Sequence, residues 1–139
     1  MAKVENSYTD LIINALAIQS TITAFVGSNV FLGMTLKTKD IEKYMPCINL
    51  NTLGYGKGNL YGGDVFQDFV AIESVHQTDL SASSKAYDAT RKYLLKNNQI
   101  KGNNFRLNIY EQSPPQQTTG WDNKAFITKG IWKIIWKRV

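Results

Sequence analysis

The last stretch of the chain, Lys124 to Val139, alternates between two sets of side chains and predicts one unusually long β-strand. Typical strands hold about five or six residues, so this strand is about three times the usual length. The two sets point to opposite sides of the strand: Trp132, Ile134 and Trp136 to one, Ile131, Lys133, Ile135 and Lys137 to the other. A two-layer protein buries only one face of its sheet, so the second set needs a cover. Lysine stems or another copy of the chain can supply it, and we expect the second set to form a subunit interface.

The remaining segments predict an α+β fold. Apolar spacing and capping residues indicate helices from Ser7 to Ile18 and from Asp79 to about Lys96, with Ser20–Gly27 as a second short helix or a kinked continuation of the first. Four further strands are expected by alternation, at Val30–Leu36, Cys47–Leu53, Asp64–His76 and Phe105–Gln112. The expected architecture is a mostly antiparallel sheet with helices packed on one face, in the order α-β-β-β-α-β-β.

Two stretches are expected to be long loops, because Gly, Pro and polar residues dominate them: Gly54–Gly63 and Ser113–Asn123. Long surface loops often carry binding residues. We therefore expect these loops to contact a partner, through the following side chains: Tyr55, Lys57, Tyr61, Gln116 and Trp121.

Length and composition predict one domain, residues 1–139. One Cys and one His argue against a disulfide framework and an ordinary zinc site. The longest apolar runs, such as Ala15 to Ile18, are far shorter than the ~20 residues of a membrane span. Glu5 and Asp10 interrupt the region that would be apolar in a signal peptide. We expect a protein made in the cytoplasm, with no membrane partner.

Motifs for catalysis and phosphate binding fail on spacing. Gly56-Lys57 is followed by Gly58, whereas a phosphate loop requires Ser or Thr after its lysine. Asp64 and Asp68 lie about 13 Å apart along a strand, farther than the carboxylate pairs of glycosidases.

The two remaining reactive side chains also lack partners in sequence. No nucleophile elbow or cluster of metal ligands accompanies His76, and Cys47 beside Pro46 is expected to be a small buried residue. We therefore expect no catalytic residue, no metal site and no cofactor.

Charge is unevenly distributed along the chain. Residues 1–74 contain five Lys and seven acidic residues, whereas residues 75–139 contain eleven Lys or Arg and four acidic residues, which gives −2 and +7. A basic half suits an anionic partner such as nucleic acid, but it also suits a solvated face or packing against a neighbour's acidic side. Trp132 and Trp136 lie on the side opposite Lys133 and Lys137, so we expect the rings in the core rather than in a nucleic-acid platform.

The layout of these segments resembles the tail terminator proteins of long-tailed bacteriophages, also called tail completion or tail-to-head joining proteins. The resemblance covers nearly the whole chain. It begins with a helix ending in Ala24-Phe25-Val26-Gly27, then Val30-Phe31, then a strand opened by proline, Pro46-Cys47-Ile48-Asn49-Leu50. It continues through Val70-Ala71-Ile72-Glu73-Ser74, the polar helix Leu80–Leu95, Phe105-Arg106-Leu107 and the closing strand Gly130-Ile131-Trp132-Lys133-Ile134-Ile135-Trp136.

The resemblance implies a non-enzymatic structural virion protein at the head-proximal end of the tail. Such proteins form a head-to-tail ring, commonly a hexamer, on the last ring of tail tube subunits, where they stop tube polymerisation. The implied partners are further copies of the chain, the tail tube protein and a head-completion or neck protein, with DNA passing through the lumen without sequence-specific binding. Two other functions stay open on the residues alone: another neck or head-completion component, and a small basic nucleic-acid-binding module.

Overall fold

A computed structural model describes residues 6–33, 44–53, 57–59, 65–120 and 125–139. The described residues form three helices and a mixed eight-stranded sheet. The helices are α1 (Tyr8–Ala17), α2 (Ser20–Val26) and α3 (Leu80–Lys96). The strands are β1 (Val30–Leu32), β2 (Cys47–Thr52), β3 (Lys57–Asn59), β4 (Val65–His76), β5 (Gln99–Lys101), β6 (Phe105–Glu111), β7 (Gln116–Gly120) and β8 (Ala125–Arg138).

Local capping explains where the helices begin and end. The backbone N–H of Ser7 donates to the Asp10 carboxylate at the start of α1, 3.1 Å away. Gly27, with a positive φ of 61°, ends α2 in a conformation that side chains disfavour. The Asp79 carboxylate accepts a 2.7 Å hydrogen bond from the Ala82 N–H and so caps α3, as the sequence predicts.

Two long strands form the centre of the sheet. β4 has 12 residues and β8 has 14, and they pair antiparallel from Val65↔Lys137 to His76↔Phe126. The strand order is β1-β2-β4-β8-β6-β5, with β3 added to β4 and β7 added to β8. Every pair is antiparallel except β1 with β2, which is parallel.

All three helices pack on the same face of this sheet and enclose the main core. Trp132 is fully buried there, and its Nε1 donates a 3.0 Å hydrogen bond to the Tyr87 hydroxyl of α3. Trp136 stacks on Tyr8 of α1, with ring centroids 5.0 Å apart. Gly130 lets α3 approach closely, because a Cβ at this position would lie 1.8 Å from the Tyr87 hydroxyl oxygen. The expectation that both tryptophans face the helix layer is confirmed.

The expected α+β class, the mostly antiparallel sheet and the single helix-covered face are confirmed. The expected order is wrong in detail, because three short strands were assigned to loops or to a helix end. β3 lies within the expected loop Gly54–Gly63, β7 lies within the expected loop Ser113–Asn123, and β5 follows α3.

The excess length of the central strands explains two of these additions. β2 pairs with β4 only from Val70 to Val75, and β6 pairs with β8 only from Trp132 to Arg138. The remaining backbone groups of β4 and β8 need hydrogen-bond partners, which β3 and β7 provide. The other expected boundaries agree within a few residues, apart from positions 34–36 of the first strand, which lie outside the described residues.

Candidate interaction surface

The sheet face turned away from the helices is the candidate functional surface, and we call it the open face. Cross-strand register assigns its side chains on the four strands β4, β5, β6 and β8. They are Val65, Gln67, Phe69, Ala71, Glu73, Gln99, Lys101, Arg106, Asn108, Tyr110, Lys129, Ile131, Lys133, Ile135 and Lys137. None of the described helices contributes to the packing on this face, since the core that contains helix residues lies on the other side.

An apolar stripe runs along the centre of the open face and consists of Phe69, Ile131 and Ile135. All three side chains are half-buried, in contrast to the fully buried Trp132 and Ile134 between them in sequence. Lys133 lies beside the stripe, with its Nζ 5.5 Å from the centre of the Tyr110 ring. The three side chains of the stripe thus keep part of their surface accessible in the single chain.

Three cations lie side by side at one end of the open face and form what we call the cation row. Lys101 of β5 is directly opposite Arg106 of β6, and Arg106 is directly opposite Lys137 of β8. All three are exposed. They line a shallow concavity of about 230 Å³ whose other polar side chains are Gln99 and Asn108, and no carboxylate lines it.

The rest of the open face carries two further cations and a single carboxylate. Lys129 is exposed and Lys133 is half-buried. The carboxylate belongs to Glu73, which is buried and accepts a 2.8 Å hydrogen bond from Asn51 Nδ2. Among the described residues, the open face of these four strands is therefore strongly basic.

The opposite end of this sheet face is not open. A second cluster buries Cys47, Val75 and Ile127 there, with Met45 and Phe31 packed against them. Burial, with a smaller contribution from the Glu73 carboxylate, raises the pKa of the Cys47 thiol to about 12. The structure thus confirms the expectation that Cys47 is a small buried residue.

The structure does not bring the sequence-predicted partner residues together. Lys57 lies on β3 opposite Gln67, and Gln116 lies on β7 opposite Lys129, so both belong to strands and not to loops. Gln67 in turn is opposite Ile135 of β8. Lys57 and Gln116 are therefore aligned with positions 135 and 129 of β8, which are six residues, or about 20 Å, apart. Tyr55, Tyr61 and Trp121 lie outside the described residues.

The predicted interface residues do share one surface. Ile131, Lys133 and Ile135 are half-buried and Lys137 is exposed, all on the open face. Sequence reasoning missed Lys101 because β5 was not expected. The signal was present, since Gly102-Asn103-Asn104 separates two short alternating segments, and Gly102 N–H donates to the Phe105 carbonyl in the resulting hairpin.

Candidate catalytic groups are dispersed or buried. Cys47 points to the same side as Val75, whereas His76, the next residue of β4, points to the helix side. His76 and Ser74 are both buried, and neither His76 Nε2 nor Ser74 Oγ has a hydrogen-bond partner among the described residues. Burial lowers the pKa of His76, and the Asp79 carboxylate opposes part of that change. No group of three potential metal ligands occurs within the described part of the chain.

Asp68 has a structural contact. Its carboxylate accepts a 2.8 Å hydrogen bond from Trp136 Nε1 on the helix side of the sheet. Burial, and secondly the nearby Asp68 carboxylate, raise the pKa of the Tyr8 hydroxyl well above its ordinary value. Asp68 thus holds Trp136 and Tyr8 in the core, while Asp64 lies outside the described residues.

A second concave surface lies between α2 and α3. This groove of about 860 Å³ has Phe25, Ala89 and Tyr93 among its lining residues. Four charged side chains of α3 also line it: Lys85, Asp88, Lys92 and Lys96. Asp88 and Lys92 form an ion pair of 3.1 Å, so the groove is less basic than the cation row.

Within the described residues, no single helix has the length and hydrophobicity to cross a bilayer. α1 and α2 meet that criterion only when taken together, across a bend of 84°.

Comparison with known proteins identifies a related fold. No protein-family model matches the chain, and no curated protein matches it. Among solved structures, a chain of the virion of a native gene transfer agent particle is similar, with a TM-score of 0.74 at 10% sequence identity. The similarity covers 94% of this chain and 95% of that chain, so the two share the fold over nearly their whole length.

Proposed function

We propose that this chain is a non-enzymatic structural protein of a virion, located at the head-proximal end of a phage tail. In this role it forms a ring that stops polymerisation of the tail tube and joins the tail to the neck of the head. The observation that carries the proposal is the fold shared with a virion chain over 94% of this chain. The segment layout of tail terminator proteins supports the more specific role.

The apolar stripe supports assembly into a ring. A half-buried stripe of Phe69, Ile131 and Ile135 gains free energy when another subunit removes it from water. The proposed interface comprises Ile131, Lys133, Ile135 and Lys137 of one subunit, packed against a different surface of the next. Such heterologous contacts close into a ring, commonly a hexamer in this family, when the rotation between subunits permits.

Two separated ends of the sheet suit two axial partners. Lys57 of β3 aligns through β4 with position 135 of β8, and Gln116 of β7 is opposite position 129. These two positions of β8 lie about 20 Å apart. We propose that Tyr55, Lys57 and Tyr61 belong to one axial surface and that Gln116 and Trp121 belong to the other. One surface then contacts the tail tube protein and the other a head-completion protein, while DNA passes through the lumen.

Electron microscopy of tube assembly tests this function. Polymerising tail tube protein is mixed with the purified chain and imaged in negative stain. We expect rings on tube ends and short tubes, whereas the same mixture with Ile131→Asp should give long uncapped tubes. Ile18→Asp is the matched control, because Ile18 is 79% exposed at the end of α1 and lies away from the sheet. Long tubes with the unaltered chain would contradict the terminator role, and rings that bind only neck proteins would favour another neck component.

The basic open face favours a nucleic-acid-binding module as the second candidate function. In the described part of this face, five cations accompany one buried carboxylate. A protein that acts only as such a module binds DNA as a monomer and leaves tube ends uncapped in the same images.

A further inference from the structure

The cation row is electrostatically unfavourable in the isolated chain. Lys101, Arg106 and Lys137 occupy directly opposed positions on three adjacent strands, where neighbouring side chains lie about 5 Å apart. Like charges in directly opposed positions destabilise a sheet. The three like charges therefore lower the stability of the folded chain, and a bound anion would relieve their repulsion.

The described residues supply no counter-ion for this row. Their ion pairs join Arg91 to Glu111 and Lys92 to Asp88, and both involve α3. Within the described ranges, no carboxylate lies within 4.0 Å of Lys101, Arg106 or Lys137. Among the described residues, the positive charge at this end of the open face is therefore not neutralised by a carboxylate.

The charged side chains at the concavity suit an oxyanion. Arg106 presents a planar guanidinium that can donate two parallel hydrogen bonds to a phosphate, and each flanking lysine adds a mobile ammonium donor. Gln99 and Asn108 line the same concavity of about 230 Å³ and add neutral polar groups without negative charge.

The cations continue beyond the concavity in one direction. Lys133 and Lys129 follow Lys137 at four-residue intervals on the same face of β8, each step covering about 13 Å. Tyr110 is exposed beside Lys133 and offers a ring to a neighbouring base. A track of this length suits an extended polyanion better than a single small ion.

We propose that the cation row binds phosphate groups of a nucleic-acid backbone, with Arg106 at the centre and Lys101 and Lys137 on either side. The strand then follows the open face of β8 past Lys133 toward Lys129. The recognition is electrostatic and independent of base sequence, because the donors at the row are charged or amide side chains that contact phosphate. Lys133 and Lys137 also belong to the proposed subunit interface, so this site is open on the single chain and on any subunit whose open face no neighbour covers. The proposal concerns that uncovered surface and does not require the ring.

Salt dependence of DNA binding tests the proposal. Binding of a short labelled duplex and of the matching single strand is measured by fluorescence anisotropy at increasing salt concentrations, at protein concentrations at which sedimentation gives the mass of a single chain. The triple variant Lys101→Gln, Arg106→Gln, Lys137→Gln should reduce the slope of log affinity against log salt by about 2.7 for the duplex and about 2.1 for the single strand. Near 0.1 M salt its affinity should fall by about two orders of magnitude.

A second triple variant controls for net charge. Lys85→Gln, Lys92→Gln, Lys96→Gln removes the same charge from α3, on the other side of the sheet. We expect this control to leave the slope almost unchanged. An equal loss in both variants, or an unchanged slope in the first, would overturn the proposal.

Competition experiments distinguish the classes of anion that could occupy the cation row. Short polyphosphate should displace the duplex, while poly-glutamate of equal charge should be a much weaker competitor. Equal displacement by both would overturn the assignment to phosphate in favour of an acidic protein partner. Inorganic phosphate is the third arm, and binding of inorganic phosphate without any binding of DNA would overturn the assignment to nucleic acid.

Two further measurements distinguish loss of the phosphate site from loss of folding and from loss of ring assembly. Removing opposed like charges should leave the thermal midpoint of the first triple variant unchanged or higher, so a lower midpoint would contradict the electrostatic premise. Ile131→Asn, a neutral change that should also break the proposed ring, should retain or increase the salt slope per protomer, because it leaves the cations in place and uncovers the open face. Loss of the slope in that variant would overturn the proposal of a site on the single chain, whereas loss of the ring alone bears only on assembly.

Discussion

The two faces of β8 are made from alternate residues of one strand, yet they differ in almost every physical respect. On the helix side, Trp132 is fully buried and hydrogen-bonded to Tyr87. On the open face, Ile131 and Lys133 are half-buried, without helix contacts among the described residues. The comparison indicates that even-numbered positions from 130 to 136 stabilise the fold, whereas odd-numbered positions from 129 to 137 remain available for binding.

Charge separates the two faces in the same way. On the helix side, Arg91 of α3 is paired with Glu111, which raises the pKa of that guanidinium further. On the open face, the cation row has no carboxylate partner within the described ranges. The paired charge of Arg91 links α3 to β6, whereas the unpaired charges of the cation row are the basis of the proposed phosphate site.

Truncation of adjacent residues gives the largest expected difference between the faces. Trp132→Ala should lower the free energy of unfolding by about 3–5 kcal/mol, because it leaves a cavity under α3. Ile131→Ala should cost about 1 kcal/mol or less at low protein concentration, because its side chain is only half-buried. Urea denaturation at matched protomer concentrations measures both values. Equal losses would contradict the assignment of the two faces.

The close approach of α3 provides the next test. Gly130→Ala should cost about 1–3 kcal/mol, since its Cβ would lie 1.8 Å from the Tyr87 hydroxyl oxygen. The double variant with Tyr87→Phe should lose less unfolding free energy than the two single variants lose in sum, because the clashing oxygen is gone. Chemical denaturation of the two single variants and the double variant measures this coupling, and strict additivity would show that the contact is not formed.

Removal of one hydroxyl from each face gives a smaller contrast. Tyr87→Phe leaves the buried Trp132 N–H without its acceptor and should cost about 1–2 kcal/mol. Tyr110→Phe on the open face removes an exposed hydroxyl that accepts from Asn108, and its effect should stay within about 0.5 kcal/mol. Thermal unfolding of the pair at one pH is a sufficient measurement. A larger loss of stability for Tyr110→Phe than for Tyr87→Phe would contradict the assignment of the two faces.

The smallest expected effect concerns pH. Burial on the helix side lowers the pKa of His76 below its ordinary 6.5, so the unfolded chain binds the proton more readily than the folded chain. The contribution of His76 to stability is therefore complete above about pH 7 and is lost as the pH falls through 6.5 toward the pKa of the folded state. His76 is the only histidine of the chain, so His76→Gln should flatten this part of the pH profile. A stability that rises as the pH falls through this range would contradict the burial of His76.

Much of this comparison was predictable from the sequence. Alternation assigned Trp132, Ile134 and Trp136 to one side of β8 before any contact was known, and Asp79 marked the start of α3. Both features depend on local patterns, which a single chain displays directly. The interpretation of Cys47 as buried also rested on local composition and is confirmed.

The features that sequence reasoning missed depend on distant pairing. β3 and β7 carry few apolar residues and form because β4 and β8 extend beyond their other partners. Lys101, Arg106 and Lys137 belong to three strands, so only the register brings them together. Leu95 is an apolar residue of α3 but is 47% exposed, so apolar character alone did not identify the buried side of this helix.

The mass of the purified chain in solution tests the central claim most directly. Sedimentation equilibrium over a wide concentration range should give one closed oligomer, several times the 15.7 kDa of a single chain. Ile131→Asp should reduce the mass to that of a single chain, while Ile18→Asp should leave it unchanged. A mass of 15.7 kDa for the unaltered chain at every concentration would contradict a ring that covers the open face.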